Sequence, residues 1–378
     1  MPEPTVDRKP CFDVPKRKDE DFILDYPSKP SGWAMFRAIG SPRYSLAPMV
    51  AGSDLPFRML VREHGCQLCF SPMYHARVFT ESAACRDSMH QTNGNDTPLI
   101  VQLAGHDPKV VLEAAQLVEK DCAAVDLNLG CPQGIARKGV YGAYLATNWP
   151  AVYEVVNTLH RKLSIPVTCK IRLQHDDEDP MKPDVPRTLA YVRMLLDAGC
   201  QMLTVHARTT AMKGQGAPYY DVVAKIAQEI NGKVPLVVNG AVDSVEKAAL
   251  VMEQIGAVAV MAGVPILANP GVFNPKMQNP DLADLKDMCR RYISITDSLD
   301  NVDDKSKRKL IRAHVMRMMK GRVTSESMQN LAEFRDSADL VARLGAVVAA
   351  KDEHTPAGPK GSGDQRDSSE ALSPSNTE

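Results

Sequence analysis

Short apolar runs alternate with amphipathic segments through the middle of the chain. Most of the runs are almost uninterrupted, which is typical of parallel strands covered on both faces. The eight runs are Ser45–Val50, Gln67–Ser71, Pro98–Ala104, Ala123–Leu129, Pro166–Leu173, Gln201–Ala207, Val234–Gly240 and Ala257–Gly263. Residues with helical spacing separate most of them, in Val110–Glu119, Val152–Leu163, Leu189–Ala198, Val222–Ile230 and Val245–Gln254. This order predicts an α/β fold, a (β/α)8 TIM barrel, with an open doubly wound sheet as the alternative.

The pattern changes at both ends of the chain. Residues 1–35 are rich in Pro, Lys, Asp and Glu, which predicts a flexible N-terminal arm before a barrel over 36–280. Residues 281–350 have helical spacing, dense charge and no β-type run, which predicts a small all-helical C-terminal domain. Residues 351–378 combine Gly, Ser, Pro and charge without periodicity, and we predict a disordered tail.

Composition excludes several classes of protein. With 44% hydrophobic and 24% charged residues among 378, the chain has ordinary globular usage. Its formal net charge of −1 means that any nucleic-acid surface must come from local segregation of charge. No run reaches the roughly 18 apolar residues of a membrane helix, and the N-terminus has no secretory apolar core. Nine scattered cysteines are typical of a reduced compartment. We expect a cytoplasmic protein, with the nucleus also open, no membrane contact and no evident protein partner.

Polar and small residues follow the predicted strands at the end where a barrel carries its function. Alternation along a strand places Lys170 and Arg172 on one face, and likewise His206 and Arg208. Two such cation pairs repel each other unless an electron-rich or anionic ligand lies between them. Structural ion pairs are the alternative, but few acids lie at these strand ends. The candidate site residues at or near these strand ends are Pro48, Met49, Val50, Gln102, Asn128, Cys131, Lys170, Arg172, His206, Arg208, Asn239, Gly240, Ala262 and Gly263.

Cys131 has an unusual local setting. Gly130 and Pro132 force a tight backbone at a strand end, whereas a cysteine that only packs in a core needs no such turn. The pair Cys66 and Cys69 has no second Cys or His pair at zinc spacing, so we interpret it as packing. No metal site is predicted.

The phosphate-binding motifs of Rossmann and P-loop proteins are both missing from the sequence. A barrel can instead bind phosphate at the loops after its seventh and eighth strands. Asn239-Gly240 and Ala262-Gly263 lie there, and small residues let backbone N–H groups reach phosphate oxygens. One phosphate at this rim, with Lys170 reaching inward from the fifth strand, fits flavin mononucleotide (FMN).

Five segments together resemble the tRNA-dihydrouridine synthase family. They occur in the family's order and cover roughly residues 45–275. The segment over 127–145 is similar to the eukaryotic subgroup that acts on positions 16 and 17 of the tRNA D-loop. The segments are APMVAGSDLPFR (47–58), LNLGCPQGIARKGVYGAYL (127–145), VTCKIRL (167–173), TVHARTTAMKGQG (204–216) and VVNGAV (237–242).

The resemblance implies an FMN enzyme that reduces D-loop uridines of tRNA to 5,6-dihydrouridine with NADPH or NADH. Hydride would come from reduced FMN and the proton from Cys131. Asn128 would face the substrate, and Arg172 and Arg208 would face the substrate or the flavin rim. The flavin ring would lie against Pro48, Met49, Val50, Gln102, Lys170 and His206, and its phosphate against Asn239, Gly240, Ala262 and Gly263.

Two positions depart from the family pattern. Ala241 stands where the family often has an acid, and Ala262-Gly263-Val264 stands where many members have Gly-Arg. We therefore expect the phosphate contact to depend on backbone N–H groups.

A basic stretch lies in the C-terminal helical region. Nine basic residues fall within 305–322, and Lys305, Lys309 and Arg312 share one helix face. A solvated helix is the alternative, but such a helix more often mixes signs. We hypothesise that this face binds the tRNA backbone. Two other functions remain open: a flavin dehydrogenase of free pyrimidines, and a tRNA-binding protein without catalysis.

Overall fold

Eight parallel strands close into a barrel. The computed structural model describes residues 23–300 and 302–349, and in them every pairing between named strands is parallel. Strand β1 pairs with both β2 and β9, β2 pairs with β4, and β4 to β9 pair in sequence order, which closes the ring. The strands are β1 (Tyr44–Leu46), β2 (Leu68–Phe70), β3 (Tyr74–His75), β4 (Leu99–Ala104), β5 (Ala124–Leu129), β6 (Val167–Leu173), β7 (Leu203–Thr209), β8 (Leu236–Asn239) and β9 (Ala259–Ala262).

The barrel prediction is therefore confirmed, and the open doubly wound sheet is wrong. Each of the eight predicted runs overlaps one barrel strand, although β1 begins one residue before its run and β7 ends two residues after its run. The additional strand β3 has two residues and pairs with the end of β4, where Tyr74 lies opposite Leu103. A strand of two residues is too short to show a hydrophobic periodicity, so the sequence pattern did not indicate it. Strand β3 places His75 at the carboxyl end of the barrel.

Helices cover the outside of the barrel and continue beyond its last strand. They are α1 (Gly32–Ala38), α2 (Leu55–Glu63), α3 (Ala76–Glu81), α4 (Ala83–Met89), α5 (Pro108–Gln116), α6 (Gly134–Lys138), α7 (Trp149–Lys162), α8 (Val185–Asp197), α9 (Tyr220–Ile230), α10 (Val245–Ile255), α11 (Val264–Ala268), α12 (Leu282–Asp297), α13 (Asp304–Met319), α14 (Ser325–Ala332) and α15 (Ser337–Ala346). Short 3₁₀ turns cover Leu145–Thr147 and Pro275–Met277.

Local capping signals fix several helix ends. The Asp107 side chain accepts hydrogen bonds from the backbone N–H groups of Lys109 and Val110, and Pro108 occupies the first helical position of α5. Asn148 caps α7 in the same way. Helix α10 ends at Gly256, whose φ of 76° lies in the left-handed region that glycine adopts without strain.

Part of the segment predicted as an arm packs on the barrel. Helix α1 begins at Gly32, and Met35 is buried. A Cβ atom at Gly32 would collide with the backbone carbonyl of Gln201, so this approach requires glycine. The backbone N–H of Asp25 donates to the carbonyl of Arg161 at 2.9 Å. Residues 1–22 and the predicted tail lie outside the described residues, so the tail stays a prediction.

A buried polar cluster joins the C-terminal helices to the barrel. The Asp54 carboxylate accepts from the Tyr292 hydroxyl at 3.0 Å and pairs with His314 Nε2 at 2.7 Å. The His314 ring stacks on Phe57, with 4.2 Å between the ring centroids. His314 is one of the nine basic residues within 305–322, but it is fully buried against the barrel and belongs to no exposed basic face.

Candidate active site

One cavity lies at the carboxyl ends of the barrel strands. Its volume of about 640 Å³ lies within the range of small-molecule sites. It brings together nine residues named from the sequence: Pro48, Met49, Val50, Gln102, Asn128, Cys131, Lys170, Arg172 and His206. His75 and Tyr141, which the sequence did not indicate, also line it. Tyr141 follows a run of charged and small residues, and only the tertiary fold turns its ring inward.

The backbone of Cys131 is fixed from two sides. The side-chain Oδ1 of Asn128 accepts hydrogen bonds from the N–H groups of Gly130 at 3.1 Å and Cys131 at 3.0 Å. The carbonyl of Cys131 accepts from Ala143 N–H at 3.0 Å. Gly142 has a φ of 63°, and a Cβ there would lie 2.9 Å from the Cys131 Cβ. The tight turn predicted from Gly130 and Pro132 thus holds a half-buried thiol at the cavity wall.

A buried acid lies behind the cavity wall. Asp126 on β5 is fully buried and accepts from Gln102 Nε2 at 2.8 Å and from Thr168 Oγ1 at 2.7 Å. Burial raises the pKa of Asp126 to about 6, against the lowering effects of these two hydrogen bonds and of the Lys170 charge. Asp126 was not among the residues predicted from the sequence. An acid two positions before Asn128 in an otherwise apolar strand was the available signal, since both share one strand face.

Cations and a histidine cluster at the ends of β6 and β7, as alternation predicts. Burial and the charge of Arg172 lower the pKa of Lys170 to about 8, although Asp126 opposes the effect. Burial and the charge of Arg208 lower the pKa of Arg172 to about 10. Burial and the three cations lower the pKa of His206 to about 2, so its ring is neutral at pH 7. A site of this kind favours an anionic or electron-rich ligand.

The two arginines also hold backbone. Arg172 donates from Nε to the carbonyl of Gly130 at 2.9 Å and from Nη1 to that of Thr209 at 3.0 Å. Arg208 donates from Nε and Nη2 to the carbonyl of Gly216 at 3.0 and 2.8 Å. Arg172 lines the cavity, whereas Arg208 lies behind His206, with 3.4 Å between its Nη1 and the ring Nε2. A contact of Arg208 with substrate stays a prediction.

The residues predicted for the phosphate lie beside the cavity. Asn239 Nδ2 donates to the carbonyl of Met261 at 2.8 Å and ties β8 to β9. Gly240 has a φ of 130°, and a Cβ there would lie 3.3 Å from His206. Ala262 is buried at the end of β9, and Gly263 follows it. Within the described residues, the backbone N–H groups of Gly240, Ala241 and Gly263 donate to no acceptor. These free donors fit the expectation of a backbone phosphate contact.

The predicted basic face lies on α13 and away from the cavity wall. Lys305, Lys309 and Arg312 are exposed, and the Arg312 guanidinium lies 5.5 Å from the centre of the Phe334 ring. Nearer the end of the helix, Arg317 donates to the carbonyl of Ala51, in the loop after β1. One half of α13 therefore contacts the barrel loop that carries Met49, and the other half presents cations to solvent.

Comparison with known proteins gives the family. Residues 45–355 match the model of the family described as Dihydrouridine synthase (Dus). The chain belongs to the dihydrouridine synthase family. A relative from Saccharomyces cerevisiae, named tRNA-dihydrouridine(16/17) synthase [NAD(P)(+)], is 38% identical over 300 residues, 77% of this chain and 69% of the relative. A Schizosaccharomyces pombe protein of the same name is 36% identical over 296 residues, 76% of this chain and 72% of its own length.

Members of the family that carry another position in their names are almost as similar. A mouse protein named tRNA-dihydrouridine(20a/20b) synthase [NAD(P)+]-like is 36% identical over 237 residues, 62% of this chain and 70% of the relative. Overall identity therefore does not separate the two position classes for this dihydrouridine synthase family member.

The described residues contain neither a candidate membrane span nor a candidate metal cluster. No helix among them has the length and apolar character that crossing a membrane requires. In the same part of the chain, no group of three or more His, Cys, Asp or Glu side chains is placed to hold a metal ion.

Proposed function

We propose that this dihydrouridine synthase family member uses FMN and NADPH or NADH to reduce D-loop uridines of tRNA to 5,6-dihydrouridine. The observation that carries the proposal is one cavity in which the Cys131 thiol and the Lys170 ammonium group lie together at the barrel's carboxyl end. The names of the yeast relatives support the substrate class, the electron donor and positions 16 and 17.

The donor set of the cavity and its rim fits FMN. Pro48 and Met49 offer an apolar wall, and Lys170 offers a cation for the electron-rich ring. The free N–H groups of Gly240, Ala241 and Gly263 offer donors for a phosphate, without the Gly-Arg contact of many family members. Gln102 and the neutral His206 ring supply further polar contacts in the wall.

Reduction of the uracil C5–C6 double bond needs a hydride at C6 and a proton at C5. Bound FMN would supply the hydride. The Cys131 thiol holds the proton: its S–H bond breaks as the C5–H bond forms, and solvent then returns a proton to sulfur. Lys170 stabilises negative charge beside the ring site, and Asn128 keeps the Cys131 turn in place.

The RNA must present an unstacked base to this cavity. Taking a base out of its stack costs a few kcal/mol, and less in a flexible loop. We propose that Lys305, Lys309 and Arg312 bind the tRNA backbone, so that residues 281–350 form the RNA-binding part beside a catalytic barrel over 36–280. A tRNA substrate fits a cytoplasmic or nuclear location.

The test is an assay of the purified full-length chain. We expect a flavin absorption spectrum, NADPH-dependent dihydrouridine formation in unmodified tRNA, and none in free uridine. Nuclease digestion and mass spectrometry of the product would locate the modified position. Reduction or oxidation of free pyrimidines without action on tRNA would indicate the alternative dehydrogenase, and tRNA binding without any dihydrouridine would indicate a protein that has lost catalysis. Either outcome contradicts the proposal.

A further inference from the structure

A continuous row of hydrogen bonds runs from the buried acid to the backbone of Cys131. It starts at Asp126, passes through the side-chain amides of Gln102 and Asn128, and ends at the Cys131 N–H. The Gln102 Nε2 group donates to Asp126 at 2.8 Å, and Asn128 Nδ2 donates to Gln102 Oε1 at 2.8 Å. Asn128 Oδ1 then accepts from Cys131 N–H at 3.0 Å.

The direction of this row is set at the Asp126 end. At neutral pH the carboxyl group, with a pKa of about 6, is mainly ionised and can only accept hydrogen bonds. Gln102 must therefore present its NH₂ group to Asp126, which turns its oxygen towards Asn128. Asn128 must then present NH₂ to Gln102 and its oxygen to the Cys131 turn.

The opposite direction would open the turn that holds the thiol. If both amides rotated, the NH₂ group of Asn128 would face the N–H groups of Gly130 and Cys131, which are donors themselves. Two donors facing each other lose their hydrogen bonds, and buried donors without partners are costly. The Cys131 backbone would then have to move.

We propose that Asp126 is a positioning residue, which fixes the orientation of the Gln102 and Asn128 amides and thereby the placement of Cys131. Thr168 holds the second carboxylate oxygen at 2.7 Å, so the acid itself is fixed. The same orientation leaves one N–H of each amide without an acceptor among the described residues, and both side chains line the cavity.

The structural test reads the Cys131 amide directly and needs neither flavin nor tRNA. Full-length protein is labelled with ¹⁵N-cysteine, and Cys131→Ala identifies the Cys131 backbone signal in the two-dimensional NMR spectrum. We expect Asp126→Leu to move this signal, while the signals of Cys66 and Cys200, which lie in the core, stay in place. Asp126→Asn, whose amide can face Gln102 in two orientations, should move it in the same direction by a smaller amount and serves if the leucine variant does not fold.

A double variant distinguishes an effect of amide orientation from an effect of side-chain packing. In the double variant Asp126→Asn with Gln102→Glu, the new carboxylate at position 102 can only accept, so it again draws the NH₂ group of Asn128. We expect the Cys131 signal to return to its wild-type position. An unmoved signal in both single variants at position 126, or no return in the double variant, would overturn the proposal.

The kinetic arm rests on the proposed function. We expect kcat for dihydrouridine formation to fall about 100-fold in Asp126→Leu, as misplacement of a reacting group by about 1 Å can cause. The KM for tRNA should stay unchanged, because the exposed cations are untouched. Wild-type kcat in this variant would overturn the positioning role. If the wild-type protein forms no dihydrouridine, the proposed function fails, and the amide signals still decide the role of Asp126.

Discussion

Replacement of the exposed cations of α13 should weaken tRNA binding in a salt-dependent way. The perturbation is the triple change of Lys305, Lys309 and Arg312 to Gln. These side chains are exposed, and their spacing places them on one face of the helix. His314 and Arg317 contact the barrel and are left unchanged, so that the packing of α13 against the barrel is preserved.

The expected magnitude follows from the number of charges removed. Each phosphate contact contributes about 0.7 to 0.9 to the slope of log K against log salt, so three contacts contribute about 2 to 3. When salt rises from about 50 to about 200 mM, the affinity of the wild type for tRNA should therefore fall roughly 20- to 40-fold more than the affinity of the triple variant. Arg312 also lies over the Phe334 ring, and loss of that contact costs about 0.5 to 1 kcal/mol at an exposed site.

The assay is a titration of unmodified tRNA at several salt concentrations, with flavin content and thermal melting recorded for each variant. The matched control changes Lys120, Lys225 and Lys233 to Gln, which removes the same charge from exposed positions on the barrel. Lys120 and Lys233 precede β5 and β8 and therefore lie at the end of the barrel opposite the cavity. Parental affinity and slope in the α13 variant, or equal losses in both triple variants, would refute the docking role.

Two further predictions concern the cavity. Cys131→Ala should keep FMN and its reduction by NADPH but lose dihydrouridine formation about 100-fold or more, the usual contribution of a proton donor; wild-type flavin reoxidation on rapid mixing with tRNA would exclude the thiol. Lys170→Ala should lose FMN or slow the reduction of FMN by NADPH. Full FMN occupancy with an unchanged reduction rate would show that the Lys170 side chain extends to the barrel rim without acting on the flavin. Because the pKa of Lys170 is lowered to about 8, its charge is present below that pH and lost above it. The reduction rate should therefore fall as the pH rises through about 8 in the wild type, and stopped-flow rates should show no such fall in Lys170→Ala.

Local pattern was sufficient for the barrel and for much of its rim. The strands are buried on both faces, so each leaves an apolar run that is visible without any partner, and the helix caps at Asp107 and Asn148 act within three residues. The strand-end rule then located Cys131, Lys170 and His206, which line one cavity. These residues come together because a parallel barrel places the carboxyl ends of all its strands on the same side.

Contacts between distant segments could not be predicted from the sequence. His314 looks like one more cation of a basic helix, yet it pairs with Asp54, 260 positions earlier, because α13 packs against the loop after β1. The two-residue strand β3 and the inward turn of Tyr141 likewise depend on what they pack against.

Strand register determined the hydrogen bonds beside Cys131. Gln102, Asp126 and Thr168 are direct partners across β4, β5 and β6, and this alignment turns three separate polar residues into one hydrogen-bonded row. The sequence determined that strands exist and where they end, because burial and capping are local. Closure of the barrel determined which residues lie opposite one another, because a shift of one position would send each of these side chains to the other face.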